Sequence, residues 1–386
     1  MKGKTKFILI VVILILVGLY FAPRVFPSSY VSNTVENITE SITDETKKEE
    51  ELPVNIATHI ETPEAVKALY LTSWAAGTKS LREGVLNIVD TTEVNSVIID
   101  IKDYSGKIAF EVNDPVLQEM GVVEKRISDI DALIADLHSR NIYVIGRISV
   151  FQDAELVKIW PDEAVKTATN KSVIWKDRKG ISWMDTGSMK VWEYIARIGD
   201  EAYSRGFDEL NFDYIRFPSD GNMKDIYYPI SEGKVKQEVL GEFFSYMDQH
   251  FEGRVPISGD LFGMTTTNTD DLGIGQNLEI ALKYLDYVCP MVYPSHYPDG
   301  WNGYAKPAQV PYEVIHASMK AGVDRAIAMG VSPEKLRPWI QDFNLGATYT
   351  KDMVKEQIQA TYDVGLDSWL VWDPANTYTL GVYEPS

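Results

Sequence analysis

The sequence has a single cysteine, Cys289, among its 386 residues. One thiol excludes an intramolecular disulfide framework and any Cys-rich zinc or iron–sulfur site. Basic residues are also few: 37 face 56 acidic residues, for a formal net charge of -19. This charge is unsuited to neutralising nucleic-acid phosphates or to docking on an anionic membrane surface. We therefore expect a fold stabilised by packing and no nucleic-acid partner.

Several motifs of familiar enzyme chemistry are missing as well. The sequence has no glycine-rich phosphate loop, no G-x-S-x-G motif and no pair of histidines at metal-ligand spacing. Its candidate carboxylates are matched by Arg147, Arg216 and Lys102 rather than by a cluster of metal ligands. We therefore expect neither a metal ion nor another cofactor.

The N-terminus carries the only long apolar run. Lys2, Lys4 and Lys6 precede the run Phe7–Ala22, whose 16 residues lie between the length of a signal-peptide core and that of a full membrane span. The lysines should stay cytoplasmic, which exports the rest of the chain. No small-x-small cleavage motif follows the run. We therefore favour an uncleaved anchor over residues 1–24, with a cleaved signal segment as the alternative.

A polar segment separates this run from the rest of the chain. Residues 25–64 are rich in Ser, Thr, Glu and Lys and have no aromatic residue after Tyr30. Such a composition cannot bury enough apolar surface to fold. The sequence predicts a disordered acidic linker here and a folded domain over residues 65–386.

Short β-branched and aromatic runs alternate with longer helical segments throughout the folded domain. This alternation is typical of repeated βα units and a parallel sheet. Eight runs in about 310 residues predict an α/β fold, a (β/α)8 TIM barrel, with an open doubly wound sheet as the alternative. The predicted strands are Val66–Trp74, Ser96–Lys102, Ile142–Val150, Glu209–Phe217, Val255–Phe262, Tyr287–Tyr293, Leu336–Phe343 and Asp367–Trp372.

Catalytic groups of such barrels stand at the C-terminal ends of the strands. Asp213 and Asp260 occupy this position on the fourth and fifth predicted strands. Two carboxyl groups across a barrel mouth are what glycosidic bond cleavage needs, one as acid and one as nucleophile or base. Alternatively, Asp213 pairs with Arg147 or Arg216 as a structural ion pair, and Asp260 caps the next helix.

Further polar and aromatic residues near the strand ends are candidates for substrate binding, since flat aromatic rings stack on sugars. Four belong to a long insertion, residues 151–206. Ordinary packing, turn capping and mutual neutralisation of Asp100 and Lys102 are the alternative interpretations. The candidates are Trp74, Asp100, Lys102, Arg147, Trp175, Asp177, Trp183, Asp185, Arg216, Tyr293, His296, Trp339, Asp342, Trp372 and Asp373.

Nine stretches together resemble domain-of-unknown-function family 4015, a glycoside hydrolase-type family of bacterial exported proteins. The resemblance covers nearly the whole chain after residue 66 and implies a glycosidase-like (β/α)8 barrel. The stretches are Val97–Gly106, Val144–Asp153, Trp175–Asp185, Gly206–Gly221, Ser258–Gly263, Asp271–Asn277, Pro290–Tyr297, Arg337–Phe343 and Trp369–Pro374.

Two better-understood groups of barrels provide comparisons for the mechanism. Similarity to the alpha-amylase type implies Asp213 as nucleophile, Asp260 as acid and Asp342 as a stabilising group, although Asp260 replaces the longer Glu of that type. Barrels of the chitinase type carry D-x-D-x-E on strand four. Ile215 stands at the position of that Glu, which disfavours the chitinase mechanism.

These observations predict a membrane-tethered, extracytoplasmic glycoside hydrolase that cleaves a cell-surface or cell-wall polysaccharide with Asp213 and Asp260. The alternative is a catalytically silent barrel that binds carbohydrate in the cell envelope. Release of reducing ends would distinguish the two.

Overall fold

The computed structural model describes residues 57–386, in which eight parallel strands close into a barrel. Each strand pairs with the strands before and after it in the chain, and the last pairs with the first. This closure confirms the predicted (β/α)8 architecture and excludes the open sheet. The strands are β1 (Lys67–Leu71), β2 (Ser96–Lys102), β3 (Tyr143–Ser149), β4 (Glu209–Asp213), β5 (Ile257–Phe262), β6 (Tyr287–Met291), β7 (Trp339–Gln341) and β8 (Trp369–Trp372).

Helices lie between successive strands and cover the outside of the barrel. Several begin at side-chain caps: Asp129 accepts a hydrogen bond from Ala132 N, and Thr350 from Met353 N. Short 3-10 turns occupy the longer loops. The α-helices are α1 (Ser73–Gly77), α2 (Lys79–Val89), α3 (Pro115–Met120), α4 (Ile130–Ser139), α5 (Leu156–Ile159), α6 (Met189–Ser204), α7 (Lys236–Phe251), α8 (Leu278–Tyr284), α9 (Pro311–Ala328) and α10 (Lys351–Asp363).

The two faces of the strands bury different sets of side chains, as the alternation of a strand requires. Outward-facing residues pack under the helices in one large apolar layer. Inward-facing residues fill the barrel itself with a second cluster that includes Ala68, Ile98, Tyr143, Ile145 and Leu370. On the same inward face, two residues further along β2 and β3, the apolar Ile98 and Ile145 are followed by the charged Asp100 and Arg147.

Every predicted strand except Ser96–Lys102 is shorter in the structure, and two of them end three or four residues earlier at the mouth of the barrel. The strand predicted as Val66–Trp74 ends at Leu71, because Thr72 accepts a hydrogen bond from Ala75 N and begins α1. The strand predicted as Glu209–Phe217 ends at Asp213, because Tyr214 adopts a left-handed backbone with φ of 53°. In both cases the loop at the mouth of the barrel begins earlier in the chain than predicted, at Thr72 after β1 and at Tyr214 after β4.

The predicted anchor and most of the predicted linker lie outside the described residues. The described end of that linker, residues 57–64, contacts the barrel at the N-terminal ends of the strands. Ile60 N donates to Asp208 Oδ1 at 2.7 Å, and Thr62 Oγ1 lies 3.0 Å from the Tyr143 hydroxyl. Among residues 57–386, no helix is both long enough and apolar enough to cross a membrane.

Candidate active site

Arg147 is the centre of the charged layer at the C-terminal ends of the strands. It follows Tyr143 and Ile145 on the inward face of β3 and is 6% exposed. Its Nη1 donates to Asp100 Oδ1 at 2.6 Å, and its Nη2 donates to Asp213 Oδ2. Its Nε lies 3.6 Å from Asp260 Oδ2. One guanidinium thus faces three buried carboxyl groups, which cannot all ionise without strong mutual repulsion.

Asp260, on β5, is the carboxyl group that this repulsion affects most. Burial first, and then the negative charge of Asp213, raise the pKa of Asp260 to about 8. Its Oδ1 accepts hydrogen bonds from Trp339 Nε1 at 2.7 Å and from Asn211 Nδ2 at 2.9 Å. Because Oδ1 already accepts two hydrogen bonds, the proton of the neutral Asp260 carboxyl group belongs on Oδ2. Asp260 therefore has the protonation state and the free donor of a general acid.

Asp213, the last residue of β4, has a different environment. Its Oδ2 accepts from Arg147, and its Oδ1 accepts from the backbone N–H of Tyr214 at 2.5 Å. The two donors hold both carboxyl oxygens of Asp213 in place. The left-handed backbone of Tyr214 turns the chain away directly after Asp213. A non-glycine residue in this conformation costs energy, and such strain clusters at functional sites.

Asp100, on β2, holds Arg147 from the opposite side. Its Oδ2 accepts a hydrogen bond from the Tyr70 hydroxyl at 2.5 Å. The Tyr70 ring stacks on Trp372 at 3.9 Å between centroids, and the Arg147 guanidinium lies 5.0 Å over Trp372. Burial raises the pKa of Asp100, and the charge of Arg147 opposes this shift. This arrangement fixes the orientation of Arg147 and thereby of the two other carboxyl groups.

A cavity of about 580 Å³ opens above this layer, and we call it the main cavity. A second cavity of about 320 Å³, the side cavity, adjoins it and shares Asp213, Tyr214, Met291 and His296 with it. Arg216 lines the side cavity only. The sequence-predicted residues that line the main cavity are Trp74, Asp100, Arg147, Asp213, Asp260, Tyr293, His296, Trp339 and Trp372.

Asp213 pairs with Arg147, and the sequence-based alternative of a pair with Arg216 is wrong. After the turn at Tyr214, the Arg216 guanidinium lies 4.6 Å from the Trp183 ring centroid and 4.9 Å from that of Phe262. It forms no ion pair with Asp213. The guanidinium instead forms part of the wall of the side cavity.

The four candidates from the insertion line neither cavity. Trp175 and Trp183 are buried in the loop core. Asp177 accepts hydrogen bonds from Trp183 Nε1 at 3.1 Å and from three other groups of the same loops. Asp185 accepts from the backbone and hydroxyl of Ser231. These carboxylates organise the loops after β3 and β4.

Three further candidates also lie outside both cavities. A register shift between Asp100 and Lys102 turns Lys102 away from Asp100, and its ammonium pairs with Asp153 at 2.8 Å. The alternative interpretation, in which Asp100 and Lys102 neutralise each other, is therefore wrong. Asp342 accepts from Thr379, and Asp373 accepts from backbone N–H groups of its own turn. Both are loop-capping residues in the structure.

Sequence reasoning missed several residues of the main cavity. Tyr70 was overlooked because the predicted β1 ran to Trp74, although Tyr70 continues the inward alternation of Val66 and Ala68. Tyr104 and Lys179 come from loops, where no periodic pattern marks the direction of a side chain. Within residues 57–386, no group of three or more His, Cys, Asp or Glu side chains is arranged to hold a metal ion.

Arg147→Met is expected to destabilise the protein by about 3–5 kcal/mol at neutral pH, because it leaves three buried carboxyl groups without their counter-charge. Loss of that charge would raise the pKa values of Asp100 and Asp260, which burial already raises, still further above their unfolded values. The loss should therefore be largest at high pH and shrink as the pH falls. Denaturant unfolding at two pH values measures it. The matched control is Arg197→Met, which removes an exposed pair with Asp114 worth at most about 1 kcal/mol. Equal losses in the two variants would contradict the expectation.

Comparison with known proteins extends these observations. A protein from Ruminiclostridium thermocellum, described as hypothetical, is 33% identical over 53% of this chain and 98% of its own, with a TM-score of 0.46. The PgaB (BpsB) glycoside hydrolase domain from Bordetella bronchiseptica is 13% identical, with a TM-score of 0.60, over 81% of this chain and 95% of its own. The alpha-galactosidase TtGalA from Thermus thermophilus is 14% identical, with a TM-score of 0.51, over 83% of this chain and 60% of its own. No curated protein matches the chain.

The similarities to PgaB and TtGalA concern the fold: both share the barrel architecture at low sequence identity. The sequence model of one family matches residues 68–378, which is most of the chain and the whole barrel from β1 to β8. This match confirms the resemblance seen in the sequence motifs. The chain belongs to the family described as "putative glycosyl hydrolase domain", domain-of-unknown-function family 4015.

Proposed function

We propose that this protein is an extracytoplasmic glycoside hydrolase that cleaves a cell-surface or cell-wall polysaccharide with two carboxyl groups. The observation that carries the proposal is the shared contact of Asp213 and Asp260 with one edge of Arg147 in the main cavity. Asp260 acts as the general acid and protonates the leaving oxygen through Oδ2. Asp213 acts as the nucleophile or as the base that activates water.

The walls of the main cavity support a sugar ligand. Trp74 and Tyr104 stand at the rim with 56% and 54% of their surface exposed, and they offer flat apolar faces to solvent. Trp339 and Trp372 lie deeper, edge-on to each other with 5.8 Å between ring centroids. Exposed aromatic rings at the rim and partly or fully buried ones beside the carboxyl groups suit a carbohydrate chain that enters from solvent.

The decisive experiment incubates the full-length protein with purified cell-wall and exopolysaccharides and measures new reducing ends. Release by the wild type, and none by an Asp213→Asn/Asp260→Asn double variant, is the expected result. Polysaccharide binding without new reducing ends on prolonged incubation would instead support the carbohydrate-binding barrel and overturn the hydrolase.

The pH dependence of activity should report Asp260. Because the pKa of Asp260 is raised to about 8, its acid form is present below that pH and lost above it. We therefore expect kcat/KM to fall as the pH rises through about 8. A pH–rate profile on a verified polysaccharide measures this decrease in kcat/KM. A profile that stays flat between about pH 6 and pH 10 would contradict the assignment of Asp260 as the acid.

We also propose that residues 1–24 remain on the exported protein as a membrane anchor. The support is the uninterrupted apolar run Phe7–Ala22, the lysines before it and the lack of a small-x-small cleavage motif after it. Mass analysis of the protein recovered from the membrane fraction should find the intact N-terminus. A mature chain that starts near residue 25 would show that the segment is a cleaved signal.

A further inference from the structure

The side cavity is lined by a positively charged side chain, which has no role in the proposed hydrolysis. Arg216 lines this cavity together with Phe262, Met264 and Tyr297. The cavity adjoins the main cavity at Asp213, so a group bound in it lies next to the reacting sugar. It is therefore placed to recognise a substituent of the substrate.

Arg216 differs from Arg147 and Arg337, the two arginines of the described chain that are buried inside the barrel, in having no acidic partner. Arg147 pairs with Asp100 and Asp213, and Arg337 pairs with Glu209 at 2.7 Å. No carboxylate oxygen of residues 57–386 lies within 4.0 Å of the Arg216 nitrogens. Aromatic rings surround its guanidinium instead. Burial lowers the pKa of Arg216, and the more distant charges of Asp213, Asp220 and Asp177 only partly oppose this shift.

The hydrogen bonds of Arg216 leave one complete edge of the guanidinium available. Nη1 donates to Phe217 O and to Ser219 Oγ, both at 3.1 Å. Nε and Nη2 donate to no atom of residues 57–386. These two N–H groups form a planar fork that matches the two oxygens of a carboxylate. On Arg147, the same edge faces Asp213 and Asp260.

A second cation without an acidic partner within the described residues stands nearby. Lys179 lines the main cavity, and its positive charge, after burial, lowers the pKa of His296. His296 lines both cavities. Two such cations on one side of the mouth are unexpected in a chain with a net charge of -19. The long-range field of this chain repels anions, so any preference for an anionic ligand must arise from such local contacts.

We infer that the side cavity binds a carboxylate carried by the sugar, and hence that the polysaccharide contains a uronic acid or another carboxylated residue. A carboxylate carries the single charge that one guanidinium balances, whereas a phosphate monoester carries about -1.5 to -2. The inference rests on the proposed function only in taking the ligand to be a carbohydrate. It requires binding and not cleavage.

Binding of carboxylated polysaccharides and of their carboxyl-reduced forms tests this inference. Reduction turns each C6 carboxylate into a neutral alcohol and keeps the linkage and configuration. The probes are polygalacturonate, alginate and hyaluronate, each with its reduced form, and dissociation constants are measured for the full-length protein at about 0.15 M salt. Arg216→Gln is the test variant. Arg178→Gln, an exposed neighbour of Lys179 that lines neither cavity, is the matched control.

The expected result is that at least one probe binds the wild type about tenfold to a hundredfold more tightly than its reduced form. Arg216→Gln should abolish this preference, and Arg178→Gln should keep it. The inference is overturned if no probe in the panel is preferred over its reduced form, or if the preference survives in Arg216→Gln. Because binding is measured, a protein that binds carboxylated glycans without cleaving them contradicts the hydrolase and leaves this inference intact.

Discussion

Replacing Asp213 by asparagine is expected to lower kcat/KM on a verified polysaccharide by about 10⁴-fold. Asparagine has nearly the same shape and can still accept the Tyr214 N–H, but it has no negative charge with which to attack the sugar or activate water. Steady-state kinetics with the purified variant measures the loss. Near wild-type turnover would remove Asp213 from the mechanism and make Asp100 the next residue to test.

The fold of this variant should be intact, for a physical reason. Asp213→Asn removes one of three carboxyl groups that compete for the charge of Arg147, so repulsion within the site decreases. The asparagine has one acceptor oxygen for two donors, so the hydrogen bond from Arg147 is lost, and this loss opposes the gain from weaker repulsion. Thermal unfolding should therefore show a cooperative transition with a melting temperature close to that of the wild type. Asp220→Asn, in the loop that follows β4 and outside both cavities, is the control and should keep full activity.

Asp260→Asn is expected to cost about 10² to 10⁴ in rate on polysaccharide, the range of a general acid. The asparagine amide can still accept from Trp339 and Asn211 through its oxygen. It cannot deliver a proton from the Oδ2 position. The loss should be far smaller on an aryl glycoside of the same sugar, because its leaving group departs without protonation. Comparison of the two substrates measures the acid role.

An equal loss on both substrates would contradict that role, since a defect independent of the leaving group points to binding or folding. Asp248→Asn provides the control. Asp248 lies on α7, near the opposite end of β5, and lines neither cavity of the proposed site. It should leave both rates unchanged.

The sequence predicted the barrel and its catalytic candidates because both depend on alternation along buried strands. Asp213 and Asp260 lie on the inward face near the C-terminal ends of their strands. Burying a charged residue there costs free energy unless it is paired, so such a residue indicates a site. Arg147 was recognised for the same reason. The periodic pattern of the strands thus carried enough information to bring these three residues together.

Other parts of the site depend on local backbone geometry that no pattern reveals. The left-handed turn at Tyr214 shortened β4 and separated Arg216 from Asp213. The register shift on β2 took Lys102 out of the site. Within the insertion, Asp177 and Asp185 have the residue types of ligand-binding groups, yet their hydrogen bonds organise loops. A carboxylate that satisfies backbone N–H groups cannot be told from a catalytic one by its identity and its aromatic neighbours alone.

The contacts of residues 57–64 with Asp208 and Tyr143 have a practical consequence for engineering. They fix the point where the upstream chain joins the barrel at the end remote from the main cavity. Lengthening or shortening the chain before residue 57 would therefore leave the mouth of the barrel unchanged. An immobilisation tag or a fused module could be attached at this end, because its attachment point is remote from the cavity that a bulky polymer must enter.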